Sequence, residues 1–378
     1  MKRITIAFDS FKGSLSSHDA GVAFAEGWRS QMPDAEFQHF VVADGGEGTT
    51  EALVEAMAGE YRSVKVHDPL GRVIAVSYGV VDDGATAIVD VATASGLTLL
   101  TAEERNPMVA SSYGTGELIA MAMAGGARRI YVGLGGSATN DGGMGMLRAL
   151  GYRFYDADDA ELLGMGADLL RVERIDDSDV HTMLSATEIV VAADVDNPLY
   201  GRRGAAHIYA PQKGADAAMV EALDCGLCRF AEVVARHTGY DMAEASGAGA
   251  AGGLGFAFMA LLGARIERGV ERVLDIQHFD RRVVGSELVV TGEGCIDAQT
   301  LMGKAPWGVL QRAKRYAIPA IAVGGSVMMC EELQSSDFEA IYCAKPEDMP
   351  LSEAMLPECA KENMRRIAAH IARNYISK

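Results

Sequence analysis

Apolar residues in this chain gather in short unbroken runs, each closed by glycine or an acid, and the runs are separated by stretches with helical spacing. Residues 4–8 precede Asp9, and residues 40–43 precede Asp44-Gly45-Gly46-Glu47-Gly48. Residues 130–132 lead into Gly133-Leu134-Gly135-Gly136, residues 189–193 into Asp194-Val195-Asp196, and residues 288–290 into Thr291-Gly292-Glu293-Gly294. Two later runs occupy residues 320–323 and 340–343. Apolar runs without polar alternation predict strands buried on both faces, as in a parallel sheet.

Between the runs the period changes. Ala20, Phe24, Trp28 and Met32 share one helical face that Pro33 closes, and Leu53 and Met57 mark a second helix. Pro306 suits a helix start ahead of Leu310 and Ala313, and Ala360, Met364, Ile367, Ile371 and Tyr375 form a final amphipathic helix. Residues 63–91 differ, with the alternation of antiparallel strands and turn sequences at Asp68-Pro69-Leu70-Gly71 and Asp82-Asp83-Gly84. The pattern predicts an α/β protein: a doubly wound, flavodoxin- or Rossmann-like parallel-sheet domain from residues 1–62 and 276–378, with a second α/β domain, residues 63–275, inserted into it.

Composition narrows the function. Of 378 residues, 34 are Lys or Arg and 52 are Asp or Glu, a net charge of −18, which disfavours nucleic acid and anionic lipid as partners. The hydrophobic share of 49% excludes a disordered chain. The apolar run at 4–8 is too short for a secretory signal core, and the six cysteines read as reduced thiols, so a cytoplasmic protein is expected. Cys225 and Cys228 are spaced C-x-x-C, but Val220, Leu223, Leu227, Phe230 and Val234 around them have helical spacing, and a structural reading is preferred. Residues 245–264 carry no charge, yet five glycines between 247 and 255 mark a loop running into a buried helix at 256–262, not a membrane span.

Glycine is the compositional outlier at 43 residues, and it collects with acids at predicted strand ends. Ligands of open parallel sheets bind at those ends. Glycine lets backbone N–H groups approach phosphate, while carboxylates at the same rim repel a polyanion unless a divalent cation bridges them. The combination points to a Mg–nucleotide. The densest loop, 133–143, fits neither the P-loop nor G-x-G-x-x-G, and the 247–255 loop is a second candidate. Lys304 stands before Pro306 at a predicted helix start, and Asp9 and Lys12 flank a strand–helix turn. Asp194 and Asp196 alternate at a strand end, so only one faces a given metal unless the chain turns there. No histidine pair has zinc-ligand spacing.

These motifs together resemble the bacterial type I glycerate kinase family. They are Asp9-Ser10-Phe11-Lys12-Gly13-Ser14, the 43–49 stretch, Ser112-Tyr113-Gly114-Thr115-Gly116-Glu117-Leu118, the 133–143 loop, Pro211-Gln212-Lys213-Gly214-Ala215, the 247–253 stretch, and Thr291-Gly292-Glu293-Gly294 followed by Asp297, Gln299-Thr300 and Gly303-Lys304. They run in order over nearly the whole chain. Phe8, Ala110 and Ala305 depart from the family pattern, which has proline, threonine and threonine there.

The resemblance implies an ATP- and Mg²⁺-dependent kinase that converts D-glycerate to 2-phosphoglycerate, acting as a monomer or homodimer. On that basis Asp194, Asp44 and Lys12 are the expected catalytic residues, and Asp9, Ser10, Lys12 and Lys304 the residues meeting glycerate. Gly135, Gly136, Ser137, Thr139, Asn140, Asp141, Gly252 and Gly253 are expected around ATP, and Asp196, Glu293 and Asp297 around Mg²⁺. A nicotinamide-dependent oxidoreductase of a small hydroxy acid and a non-catalytic nucleotide sensor are the alternatives. The first lacks a G-x-G-x-x-G after any strand.

Overall fold

The computed structural model describes residues 3–11, 13–42, 49–193, 195–267 and 269–376. The chain divides into two compact units, Met1–Asp44 with Val270–Lys378, and Gly45–Gly269. The sequence pattern placed the joints at 62/63 and 275/276. Its first joint falls late because the helix Thr49–Ala56, which follows a strand at ordinary βαβ spacing, belongs to the second unit, where Val54 packs at Gly79.

In chain order the strands are β1 (Arg3–Phe8), β2 (Glu36–Val41), β3 (Glu60–His67), β4 (Val73–Val81), β5 (Thr86–Asp90), β6 (Arg129–Gly133), β7 (Arg153–Tyr155), β8 (Arg174–Asp176), β9 (Glu188–Ala192), β10 (Arg265–Glu267), β11 (Leu288–Ile296), β12 (Ala320–Val327) and β13 (Ala340–Cys343). The first unit contains a parallel sheet ordered β13-β12-β11-β1-β2, with Ile4 opposite Leu288 on one side and Phe37 on the other. Counted within the unit alone, this is the order 2-1-3-4-5 of the flavodoxin-like doubly wound fold.

Side chains alternate across that sheet. Ile4, Ile6 and Phe8 join Phe24, Trp28, Met364 and Ile371 on one face, while Ala7 and Val289 join Leu274, Phe279 and Leu310 on the other. The first face is covered by the helices Ser17–Arg29 and Pro357–Ile376. They meet so closely at Gly27 that a Cβ there would lie 2.1 Å from the Arg365 carbonyl oxygen. Ser16 caps the first of them by accepting from the Asp19 N–H at 3.0 Å. That helix stops at Arg29, so Met32 packs against the same core from beyond its end.

Across the sheet, helix Ala305–Arg315 carries Pro306 in its first turn, as expected, and buries Arg312. The Arg312 guanidinium donates to Glu271, Asp275 and Asp280 at 2.7, 2.6 and 2.8 Å.

The second unit is built on a sheet ordered β10-β9-β6-β5-β4-β3, parallel from β10 to β5 and antiparallel from β5 to β3. Its antiparallel part contains the 63–91 segment read from alternation. Asp68 closes the first turn by accepting from the N–H groups of Leu70 and Arg72, both at 2.9 Å. Cys225 and Cys228 lie in the long helix Ala217–Thr238, and all six cysteines are free thiols. The uncharged 245–264 stretch is a glycine loop followed by the helix Leu254–Leu262. Among the described residues no helix is long and apolar enough to cross a membrane.

Candidate active site

In a sheet of this order the crevice for ligands opens at the carboxyl ends of β1 and β11, where successive connections leave toward opposite faces. β1 ends at Phe8, and the chain continues into Asp9 and Ser10. The Asp9 N–H donates to the Gly292 carbonyl at 2.9 Å, and the Ser10 N–H donates to the Asp9 carboxylate at 2.6 Å. Asp9 is 7% exposed, so the main chain of β11 and its own loop fix its orientation.

β11 runs on through the motif glycines. Glu293, near its end, accepts from the buried Thr300 hydroxyl at 2.7 Å. Asp297 caps the following short turn by accepting from the Gln299 N–H at 2.9 Å. Lys304 is the residue ahead of helix Ala305–Arg315 and accepts its first-turn hydrogen bond from Gly308. This places the Lys304 Nζ 3.8 Å from Glu293 and 3.7 Å from Asp297. Four expected residues, Asp9, Ser10, Glu293 and Lys304, line one cavity of about 370 Å³, and Asp297 adjoins it through Lys304.

The cavity also has a wall that sequence reasoning missed. Phe11, Leu15, Leu351, Met355, Asn363 and Met364 line it beyond the charged rim. Met364 was read only as part of an amphipathic face, and its spacing gives no signal that part of this face borders a cavity instead of core.

In the second unit the glycine loops pack against each other. Gly252 has φ +74°, and a Cβ there would lie 2.1 Å from the Thr139 carbonyl oxygen, while the Gly142 N–H donates to the Gly252 carbonyl at 3.0 Å. Gly253 approaches the Gly142 Cα in the same contact. Asp141 is fully buried, and its carboxylate accepts from the Ser112 N–H and hydroxyl at 2.8 and 2.7 Å and from the N–H groups of Gly143 and Gly145 at 3.0 and 3.3 Å. Burial pushes its carboxyl pKa up, against the pull of those donors.

Lys213 reaches this junction from the turn Pro211–Lys213. It is 2% exposed and donates to the Ser137 hydroxyl at 2.8 Å and the Thr139 carbonyl at 2.6 Å. Burial lowers its pKa to about 7. Lys213 belongs to the Pro211–Ala215 motif but not to the expected site residues. Gly135 and Gly136 are the part of the 135–141 segment open to solvent, whereas Ser137, Thr139, Asn140 and Asp141 are enclosed. Among the described residues the buried Thr139 hydroxyl and both amide atoms of Asn140 have no hydrogen-bond partner.

Asp196 also belongs to this unit. It lies beyond the end of β9, so strand alternation does not govern it, and it accepts from the Ser246 hydroxyl at 2.5 Å. Among the described residues no three His, Cys, Asp or Glu side chains gather into a group able to hold a metal. Lys12, Asp44 and Asp194 lie outside the described residues.

Comparison with known proteins covers the full chain. Residues 4–376 match the profile of the glycerate kinase family. The chain is 42% identical to "Glycerate kinase" of Bacillus subtilis (strain 168), over 98% of its own length and 97% of that protein. It is 46% identical to "Glycerate 2-kinase" of Escherichia coli (strain K12), over 86% and 85%. A solved structure described as glycerate kinase 2 from Salmonella typhimurium LT2 superposes with a TM-score of 0.90 at 42% identity, over 100% of this chain and 98% of that one.

Proposed function

The chain belongs to the glycerate kinase family, and we propose that it transfers the γ-phosphate of ATP to D-glycerate, giving 2-phosphoglycerate. The observation that carries this reading is the rim at β1 and β11, where Lys304 stands between Glu293 and Asp297 in the cavity that Asp9 and Ser10 also line. A cation flanked by carboxylates at the ligand-binding end of a parallel sheet is what two anionic substrates and a divalent metal require.

Glu293 and Asp297 fit Mg²⁺. Both are hard oxygen donors within 4 Å of the same ammonium, and Mg²⁺ is commonly held by one or two carboxylates plus substrate phosphates and water. When bound, it neutralises charge on the phosphates during transfer. Asp196, the third acid expected at the metal, belongs to the other unit and is proposed at most as a further contributor.

Lys304 supplies a donor to a substrate oxygen, with Lys12 as a second cation. The Asp9 carboxylate and Ser10 hydroxyl orient a bound hydroxyl or phosphate oxygen, and Thr300 holds Glu293 in place. Asp194, with Asp44 as the second candidate, accepts the proton of the attacking hydroxyl. In the second unit, the exposed Gly135-Gly136 turn meets phosphate. Ser137, Thr139, Asn140, Asp141, Gly252 and Gly253 set its conformation, as does Lys213.

A coupled ADP-release assay with D-glycerate tests the reading, with the product identified by phosphorus NMR. Turnover no greater than a no-substrate control refutes it.

A further inference from the structure

The cavity beneath Lys304 is larger and more apolar than a three-carbon acid requires. Its volume of about 370 Å³ is in the range of sites that enclose a drug-sized ligand. Its charged lining residues are Asp9, Glu293, Lys304 and Lys345, and the Lys345 ammonium is taken up by the Pro346 and Met349 carbonyls at 2.8 and 3.1 Å. Away from these groups its wall includes Leu15, Met355 and Met364, with Leu351 at the margin. A carboxylate or hydroxyl placed against that wall would lose water without gaining a hydrogen bond, a loss far greater for the ionised group. A flat heteroaromatic ring loses little there and gains contact with two thioethers.

Two further observations specify the ligand. Leu351 is 56% and Met355 37% exposed, so large apolar side chains at the cavity face water where a bound ring would cover them. Asn363 is only 7% exposed and lines the same space, and its amide Nδ2 donates to the Met349 thioether sulfur at 3.3 Å, a weak acceptor. A side-chain amide offers one donor and one acceptor in a plane, the pair that matches the N6/N7 edge of adenine. Apolar faces, one amide at the ring edge and a charged exit at the strand ends are arranged along one cavity.

We infer that this cavity seats the purine nucleoside of the phosphoryl donor, with Asn363 reading the base edge and the phosphates leaving past Lys304. The assignment rests on the kinase reading and sharpens it. Lys304 then meets phosphate of the nucleotide, not glycerate, and the sheet's switch point becomes the donor site.

The test uses the full chain, its Leu351→Glu and Asn363→Ala variants, steady-state kinetics, and calorimetric titration with Mg–ADP. Each variant is expected to raise KM for ATP and Kd for Mg–ADP about tenfold, with KM for D-glycerate changed less than about twofold. Leu351 is exposed, so its substitution leaves the core intact even if Asn363→Ala does not fold. Unchanged Mg–ADP affinity in Leu351→Glu, or a rise in KM confined to glycerate, overturns the assignment. Calorimetry separates the two claims. Weakened Mg–ADP binding in the variants of a chain that does not turn over D-glycerate upholds the nucleoside site and refutes the acceptor. Normal turnover with unchanged Mg–ADP binding does the reverse.

Discussion

Lys213 gives the sharpest quantitative expectation. Its ammonium is 2% exposed, and its pKa falls from 10.5 to about 7 because burial removes its water. The unfolded chain keeps that proton up to about pH 10.5, while the folded chain releases it near 7. Between those values the unfolded state binds more protons, so stability rises with pH; below pH 7 both states are protonated and the full penalty applies. Integrated from pH 7 to pH 9, the linkage amounts to about 2 kcal/mol of added stability from this one residue. Lys213→Met keeps the side-chain length and removes the titration. It also leaves the Ser137 hydroxyl and Thr139 carbonyl without their donor, costing about 1–3 kcal/mol, but that cost does not vary with pH.

Both tryptophans, Trp28 and Trp307, lie in the other unit, so fluorescence does not follow the relevant unfolding. Pulse-labelled hydrogen exchange against urea does, read on peptides from Gly45–Gly269. The stability difference between wild type and variant should change by about 2 kcal/mol between pH 7 and 9, in favour of the wild type at the higher pH. A difference constant to about 0.5 kcal/mol across that interval refutes the buried-ammonium argument.

Three further outcomes are expected. Asp194→Asn should lower kcat by about 10²-fold or more with the melting curve unchanged, and a near-wild-type kcat removes Asp194 as the base. Gly27→Ala forces a methyl to within 2.1 Å of the Arg365 carbonyl, and should destabilise the unit containing Trp28 by about 1–3 kcal/mol, read from tryptophan fluorescence in urea. An unchanged midpoint means the two helices separate at no cost. Chelation by EDTA should abolish ADP release and added Mg²⁺ should restore it, whereas turnover in EDTA removes Glu293 and Asp297 from a metal role.

Most strands disclosed by an unbroken apolar run are interior strands buried on both faces; residues 340–343, an edge strand of half-buried and exposed residues, are an exception. Residues 4–8, 130–132 and 288–290 have neighbours on both sides in their sheets, so an unbroken apolar run is both necessary and visible. β2 is an edge strand, and only its last residues are apolar enough to be seen; its first four are exposed or half-buried. β7, β8 and β10 are three residues each, too short for any period to register. The domain joint was misplaced for a related reason. Whether the helix Thr49–Ala56 covers the sheet of the strand before it or that of the strand after it depends on partners distant in sequence, not on its own residues.

Residue type marked the rim well. Asp9, Glu293, Asp297 and Lys304 are hydrophilic groups at ends of buried strands and turns, where cost demands a purpose. The cavity wall had no such mark, since Met364 and Leu15 are as apolar as the core residues beside them.

Placement of charge, more than its total, determines how a chain of net −18 handles two anions. Among the described residues several of its cations are held by more than one acid. Arg312 is held by three carboxylates, Arg72 by Asp68 and Glu104, and Lys304 by Glu293 and Asp297. The last group is the one at the rim, and its two carboxylates and one ammonium sum to −2 + 1 = −1. An incoming phosphate therefore meets a repulsive site although a lysine is present. Were Glu293 and Asp297 to hold Mg²⁺, the same group would sum to −1 + 2 = +1, and the Lys304 ammonium would be free to bond a phosphate oxygen. Arranged this way, the rim favours the metal and the anion together over either alone. On the proposed reading the surplus of acid would work as a condition on binding, the nucleotide being accepted only in the company of its metal.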